Sequence, residues 1–261
     1  MCADVPRPAR SPRIVAHRGA SGHAPENTLA AFRAAAEAGA GWVEFDVCLL
    51  GDGTAVLHHD ATLERCTDAT GPIGALDAAA LAGIDAGASF GAAFAGERIP
   101  RLEAALAELA RLGLGANLEL KPHGAEGPAL ADTVARILAA EHAAGRDWAR
   151  AMTVSSFDHA ALVRFRAARP EMPVALLYKA PAADWRETAA ALGAEALHLR
   201  IGDFEPAFAA EARAAGLALR TYTANDPSAA APLRAAGLGA VITDHPDRFL
   251  ADPAWAAWAQ D

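Results

Sequence analysis

Cysteine is scarce in this chain. The 261 residues hold three, Cys2, Cys48 and Cys66, an odd number at wide spacings with no Cys-x-x-Cys pair. That pattern fits neither a disulfide framework nor a thiolate zinc site, and it predicts a reducing, cytoplasmic setting. Lysine is scarcer still: of 23 basic residues only Lys121 and Lys179 are lysines. No Lys/Arg cluster occurs and the formal charge is −9. Nucleic acid, whose recognition depends on neutralising phosphates, is therefore not an expected partner. Also missing is an uninterrupted apolar run of roughly 18 residues, so no membrane span is expected. The first thirteen residues carry Arg7, Arg10 and Arg13 with three prolines. The apolar stretch that should follow in a signal peptide is cut short by His17 and Arg18, and no export signal is read there. Nothing in the sequence indicates an oligomeric state.

What is present is alternation. Short apolar or β-branched runs recur at 13–17, 42–47, 116–121, 152–156, 173–178, 196–201, 217–223 and 239–244. Ala-rich segments of helical periodicity, such as NTLAAFRAAAEAG, RLEAALAELARLG and DTVARILAAEHAAG, lie between most of them, several ending at a glycine suited to close a helix. Strand–helix alternation implies parallel strands, and eight such units predict an α/β (βα)8 TIM barrel, a fold that routinely reaches this length as one domain. A ninth strand candidate, TAVLHHD at 54–60, follows the second strand after only a Gly-Asp-Gly turn. A parallel crossover needs a dozen or more residues, so this segment must return as an antiparallel hairpin. Residues 60–101 show no clear strand and are read as an insertion between the second and third barrel units, covering part of the mouth. The end, ADPAWAAWAQD, reads as a short packing tail.

Within the strand GWVEFDVCLL, Glu44 and Asp46 share one face while Val43, Phe45 and Val47 take the other. Two carboxylates buried side by side cost several kcal/mol per ion unless a cation compensates or a pKa rises. In ANLELK, Glu119 shares a face with Asn117 and Lys121, so a third carboxylate converges on the same barrel end. Three oxygen donors of this kind suit one hard divalent ion, Mg2+ or Ca2+, better than zinc. Active sites of such barrels lie at the C-terminal strand ends. There His17 and Arg18 end the first strand, and the hairpin returns His59 toward Asp46.

Five stretches in order, HRGASGHAPENTLAAF, GAGWVEFDVCLLGDGTAVLHHDATLERCT, LELK, VSSFD and VITDHPD, resemble the motifs of the glycerophosphodiester phosphodiesterases, over about residues 13–250. The resemblance implies a (βα)8 barrel with a small insertion after the His-Asp motif. It implies Glu44, Asp46 and Glu119 as ligands of a divalent metal, His17 and His59 as acid and base, and Arg18 and Lys121 on the phosphate oxygens. The expected substrate is a small glycerophosphodiester, cleaved to glycerol 3-phosphate and an alcohol. Its own hydroxyl could attack phosphorus to give a cyclic phosphate, since intramolecular attack gains a large effective molarity. Lysophospholipase D-like or sphingomyelinase D-like action on lipids, and a non-catalytic barrel binding phosphorylated metabolites, are the competing readings.

Strand parity admits only one of His58 and His59 to the site; the motif chooses His59 and leaves His58 at the surface or behind it. Asp60 is read as an orienter of the hairpin or of a histidine, Cys48 as packing, and Glu26 and Asn27 as either a helix start or a brace for the site. Against the family's usual pattern, Tyr222 stands in place of a tryptophan lining the glycerol end, His245 in place of an arginine, and Leu50 in place of a threonine. These departures bear on substrate preference, not on the catalytic groups.

Overall fold

A computed structural model describes residues 13–260. Cys2, Arg7 and Arg10 lie outside the described residues, and with them the export-signal reading. In chain order the elements are β1 (Ile14–His17), α1 (Leu29–Glu37), β2 (Trp42–Leu49), β3 (Ala55–Leu57), α2 (Leu102–Leu112), β4 (Gly115–Leu120), α3 (Gly127–Ala143), β5 (Met152–Ser156) and α4 (His159–Ala168). They continue as β6 (Val174–Tyr178), α5 (Trp185–Leu192), β7 (Ala196–Arg200), α6 (Pro206–Ala214), β8 (Ala218–Tyr222), α7 (Pro227–Ala235), β9 (Ala240–Thr243), α8 (Pro246–Ala251) and α9 (Pro253–Gln260).

Eight strands pair in parallel around a ring, β1, β2, β4, β5, β6, β7, β8 and β9, and β1 joins both β2 and β9, which closes the sheet into a (βα)8 barrel. The strands are short because closure needs only a few residues per strand, and nearly all are buried because helices cover the outside and side chains fill the inside. In β2 all eight residues are buried. Val43, Phe45 and Val47 join the cluster under the helices, where Phe45 meets Phe32 of α1 at a ring separation of 5.5 Å. Burying one such side chain contributes roughly 1.5–3 kcal/mol. The polar residues Glu44 and Asp46 are thereby forced to the lumen. Thr28 caps α1 by accepting from Ala31 N at 3.2 Å, and Gly113 ends α2 in the left-handed conformation at φ 76°.

The hairpin forms with Val47 opposite Leu57 and Leu49 opposite Ala55 in antiparallel pairing. Its ladder is shorter than the 54–60 span predicted, ending at Leu57, and β2 is correspondingly longer than its predicted 42–47. Between β3 and α2 the chain runs in short 3-10 turns around its own apolar group, Leu63, Ile73, Leu81, Ile84 and Ile99, which packs on Cys48, Leu50 and Val56 of the hairpin. Cys48 is a packing residue. At the chain end, Trp255 is buried against Phe249, and Trp258 packs under Arg13. No helix among the described residues is long and apolar enough to cross a membrane.

Candidate active site

The C-terminal strand ends surround a cavity of about 650 Å³. Register explains which side chains meet there. His17 lies beside Glu44 across the β1–β2 pair, and Glu44 beside Asn117 and Asp46 beside Glu119 across β2–β4. The parity of two neighbouring strands therefore delivers three acids to one spot. Glu44, Asp46 and Glu119 are all buried, and one oxygen from each lies within 4.8 Å of the others.

The turn after β1 is shaped to serve this cluster. Arg18 takes the left-handed region at φ 55°, which is uncommon for a side-chain-bearing residue. The turn directs its N–H to Glu44 Oε2 at 3.0 Å. Gly19 follows at φ 79°, where a Cβ would lie 2.6 Å from the backbone carbon of Ala31, so only glycine lets α1 approach. Asn27 closes on Asp46 twice, donating from Nδ2 to Oδ2 at 2.9 Å and accepting from the Asp46 N–H at 3.1 Å. Of the two sequence readings for this motif, Asn27 braces the acids. Thr28 is the residue that caps the helix.

Two cations stand over the acids. Lys121 Nζ lies 2.8 Å from Glu119 Oε1 and 3.5 Å from Asp46 Oδ1, and Arg18 Nε lies 3.2 Å from Asp46 Oδ2. Burial alone would raise Asp46, yet Arg18 and Lys121 hold it below the usual carboxylate range. They cannot do so for its neighbours. Burial and the Asp46 charge push Glu119 up to about 7, and burial with both other carboxylates holds Glu44 well above its ordinary value. Three buried carboxylates with insufficient compensation form a donor set that fits a hard divalent cation, because a dication would relieve the repulsion among them.

His17 and His59 line the same cavity. His17 Nδ1 is 2.7 Å from Asp244 Oδ1, and His59 Nδ1 is 2.6 Å from Asp60 Oδ1. Both aspartates are held below the ordinary range: burial opposes this, and the imidazoles and further donors outweigh it. An ionised carboxylate only accepts, so each ring carries its hydrogen on Nδ1 and turns Nε2 outward. His17 Nε2 is 3.9 Å from Glu44. Asp244 is fixed in turn by Asn225 Nδ2 at 2.6 Å and Ser21 Oγ at 2.9 Å. On the other side Asp60 also accepts from Arg65, which donates to Glu26 at 2.6 and 2.8 Å, and Glu26 accepts from Arg18 at 2.7 Å. A continuous ionic chain thus connects Arg18 to His59. Burial lowers the His59 pKa, only partly offset by Asp46.

His58 faces away from the cavity. It is buried, not at the surface, and its Nε2 meets Thr62 O at 2.9 Å. Tyr222 lines the cavity with its hydroxyl donating to Tyr178 O at 2.9 Å and its ring 6.1 Å from that of Phe157. Leu50 is part of the apolar group under the hairpin, and His245 lies outside the cavity, against His23. Sequence reasoning missed Asp244, Asn225, Arg65 and the cavity residues Phe157 and His198. Asp244 directly follows β9 in the stretch VITDHPD and was findable as an acid at a barrel strand end. Arg65 had no comparable signal.

Comparison with known proteins gives the chain's family. A phosphodiesterase of Oleispira antarctica, solved in complex with the product sn-glycerol-3-phosphate, superposes with a TM-score of 0.86 at 36% identity, covering 92% of this chain and 96% of that one. A glycerophosphodiester phosphodiesterase from Agrobacterium tumefaciens superposes with a TM-score of 0.75 at 29% identity, covering 93% and 100%. The glycerophosphodiester phosphodiesterase of Caldanaerobacter subterraneus subsp. tengcongensis is 30% identical over 237 residues, 91% of this chain and 96% of that protein. Residues 17–248 match the model of the glycerophosphoryl diester phosphodiesterase family, a family of hydrolases, and the chain belongs to it.

Proposed function

We propose that the protein hydrolyses small glycerophosphodiesters to glycerol 3-phosphate and the free alcohol, with His17 and His59 as the proton-transfer pair and Glu44, Asp46 and Glu119 holding one divalent ion, Mg2+ or Ca2+. The observation that carries this reading is the pair of histidines, each backed by an ionised aspartate and each lining a cavity that also presents Glu44, Glu119, Arg18 and Lys121, with Asp46 beside them. Bound between the carboxylates, the ion would supply charge neutralisation and polarise a phosphoryl oxygen.

The chain's own groups supply the rest. Arg18 and Lys121 meet the non-bridging oxygens, where charge grows in the transition state. One imidazole takes the proton from the substrate hydroxyl next to the esterified carbon as that oxygen bonds to phosphorus. The other gives a proton to the departing alkoxide as its P–O bond breaks. With roles reversed, water then opens the cyclic phosphate. Tyr222 and Phe157 wall the cavity beside Lys121, whose ammonium lies 5.6 Å from the Phe157 ring centre. The lipid-substrate alternatives need a long apolar groove in addition to the charged groups of this cavity, which match the phosphate that all these substrates share.

Turnover of glycerophosphocholine with glycerol 3-phosphate as the measured product, with and without excess chelator, tests the reading. Activity that is undiminished by the chelator sinks the metal assignment, and no glycerol 3-phosphate in any condition sinks the activity. A diester lacking the neighbouring hydroxyl should bind and not react. Equal rates for the intact and hydroxyl-free diesters would replace internal attack by attack of water.

A further inference from the structure

A second group of metal-ligating side chains lies outside the cavity, where the barrel closes on itself. His23 is in the loop that follows β1, and His245 and Asp247 are in the loop that follows β9 and in the first turn of α8. Because β1 and β9 are neighbours in the ring, these loops meet although more than 200 residues separate them in sequence. One donor atom from each of the three residues lies within 4.8 Å of the others. We propose that His23, His245 and Asp247 bind one Zn2+ ion that staples the first and last loops of the barrel.

The donor set separates this site from the carboxylate cluster. Two imidazoles and one carboxylate suit a borderline ion such as Zn2+, with water in the fourth position, whereas Mg2+ and Ca2+ prefer oxygen ligands alone. Zinc bonds of about 2.0–2.2 Å hold neighbouring donors about 3–3.5 Å apart, so the observed cluster needs only small side-chain rotations to close. His23 Nε2 and Asp247 Oδ1, now 2.7 Å apart, would separate slightly, while His245 would move in from a ring separation of 5.3 Å.

Two features of the backbone and packing prepare the site. The imidazole of His245 lies directly on Gly22, where a Cβ would come within 2.1 Å of Cε1, so this ring position requires glycine there. The same glycine donates its N–H to Asp244 O at 2.9 Å, so the loops are joined before any ion arrives. His245 Nδ1 is buried with no hydrogen-bond partner, a cost that a ligand could remove.

Protein freed of metal by dialysis and then saturated with Mg2+, which occupies oxygen sites, should still bind about one equivalent of Zn2+ by calorimetry. That binding should raise the melting temperature, because the folded chain alone assembles the three ligands. Co2+ in place of Zn2+ should give visible absorption bands of a nitrogen-ligated ion. His23→Ala and Asp247→Asn, both at well-exposed side chains, should melt like the wild type without zinc and bind it more than about 100-fold more weakly, since even loss of an outer partner costs 10–100-fold. No Zn2+ uptake in excess Mg2+, or uptake unchanged in both variants, overturns the proposal.

Discussion

His17 and His59 reach one cavity from supports of different kinds. His17 ends a barrel strand, and the aspartate that holds it directly follows the adjoining strand β9, so two hydrogen-bonded ladders set the geometry. His59 lies two residues beyond a three-residue strand, and its aspartate is the next residue in the chain. Direction on that side comes from Arg65, in the irregular segment after the hairpin, and from Glu26 beyond it. The first arm is rigid because the sheet is rigid. The second depends on an ionic chain whose middle member, Arg65, is about half exposed, and exposed ion pairs are weakly held and screened by salt. A proton donor to a leaving group can tolerate such freedom more readily than a base that must align a nucleophile. Under the proposed mechanism, the rigid support suits His17 to the more exacting position.

The largest expected effect treats the arms alike. His17→Ala and His59→Ala should each lower kcat by about 10²–10⁴-fold while leaving the melting temperature close to wild type. A variant that keeps more than a tenth of the activity would remove that residue from the proton-transfer pair, and the comparison with it.

Removing the orienting carboxylates should separate the arms. Asp244→Asn loses the anchor of His17 and is expected to cost about 10–100-fold in kcat, with little change in KM, as for other groups that orient a functional imidazole. Asp60→Asn should cost less, about tenfold at most, because the hairpin backbone still carries His59 over the cavity. Raising salt should slow Arg65→Ala less than wild type, since the ionic chain it would screen is already broken. If Asp60→Asn proves the more damaging of the two aspartate changes, the rigid and the adaptable arm have been assigned the wrong way round.

The difference between the arms also marks where the sequence was legible. Glu44, Asp46 and Glu119 could be placed on one surface because a strand has a fixed period of two, and the eight-strand barrel followed from the same alternation. His17 could be placed at the mouth for the same reason. Its partner Asp244 is 227 residues away and becomes a neighbour only when the barrel closes, which no local pattern encodes. The ionic chain through Glu26 and Arg65 was less legible still. It runs between two loops, and the hairpin ladder stops at Leu57, before the residues whose parity was being argued. The outward turn of His58 was nonetheless anticipated. Whether it would lie at the surface or be buried was not legible, because the irregular segment 60–101, where its partner Thr62 lies, has no periodic signature.

The smallest effect on activity, and the finest test of the hairpin arm, is at His58. Its ring points away from the cavity and meets Thr62 O, in the turn that leads to Arg65. His58→Ala removes a buried ring and its hydrogen bond to Thr62 O, and loss of that bond alone costs about 0.5–1.5 kcal/mol, which denaturant unfolding should register. The chemistry should be nearly untouched at temperatures where the variant is folded, because the His58 ring bonds to Thr62 O while His59 and Asp60 bond to each other. Any residual fall in kcat then measures how far looseness in the turn at Thr62 reaches Arg65. A fall comparable to that of His59→Ala would mean that His58 is the imidazole that enters the site, and that the two neighbours exchange places when substrate is bound.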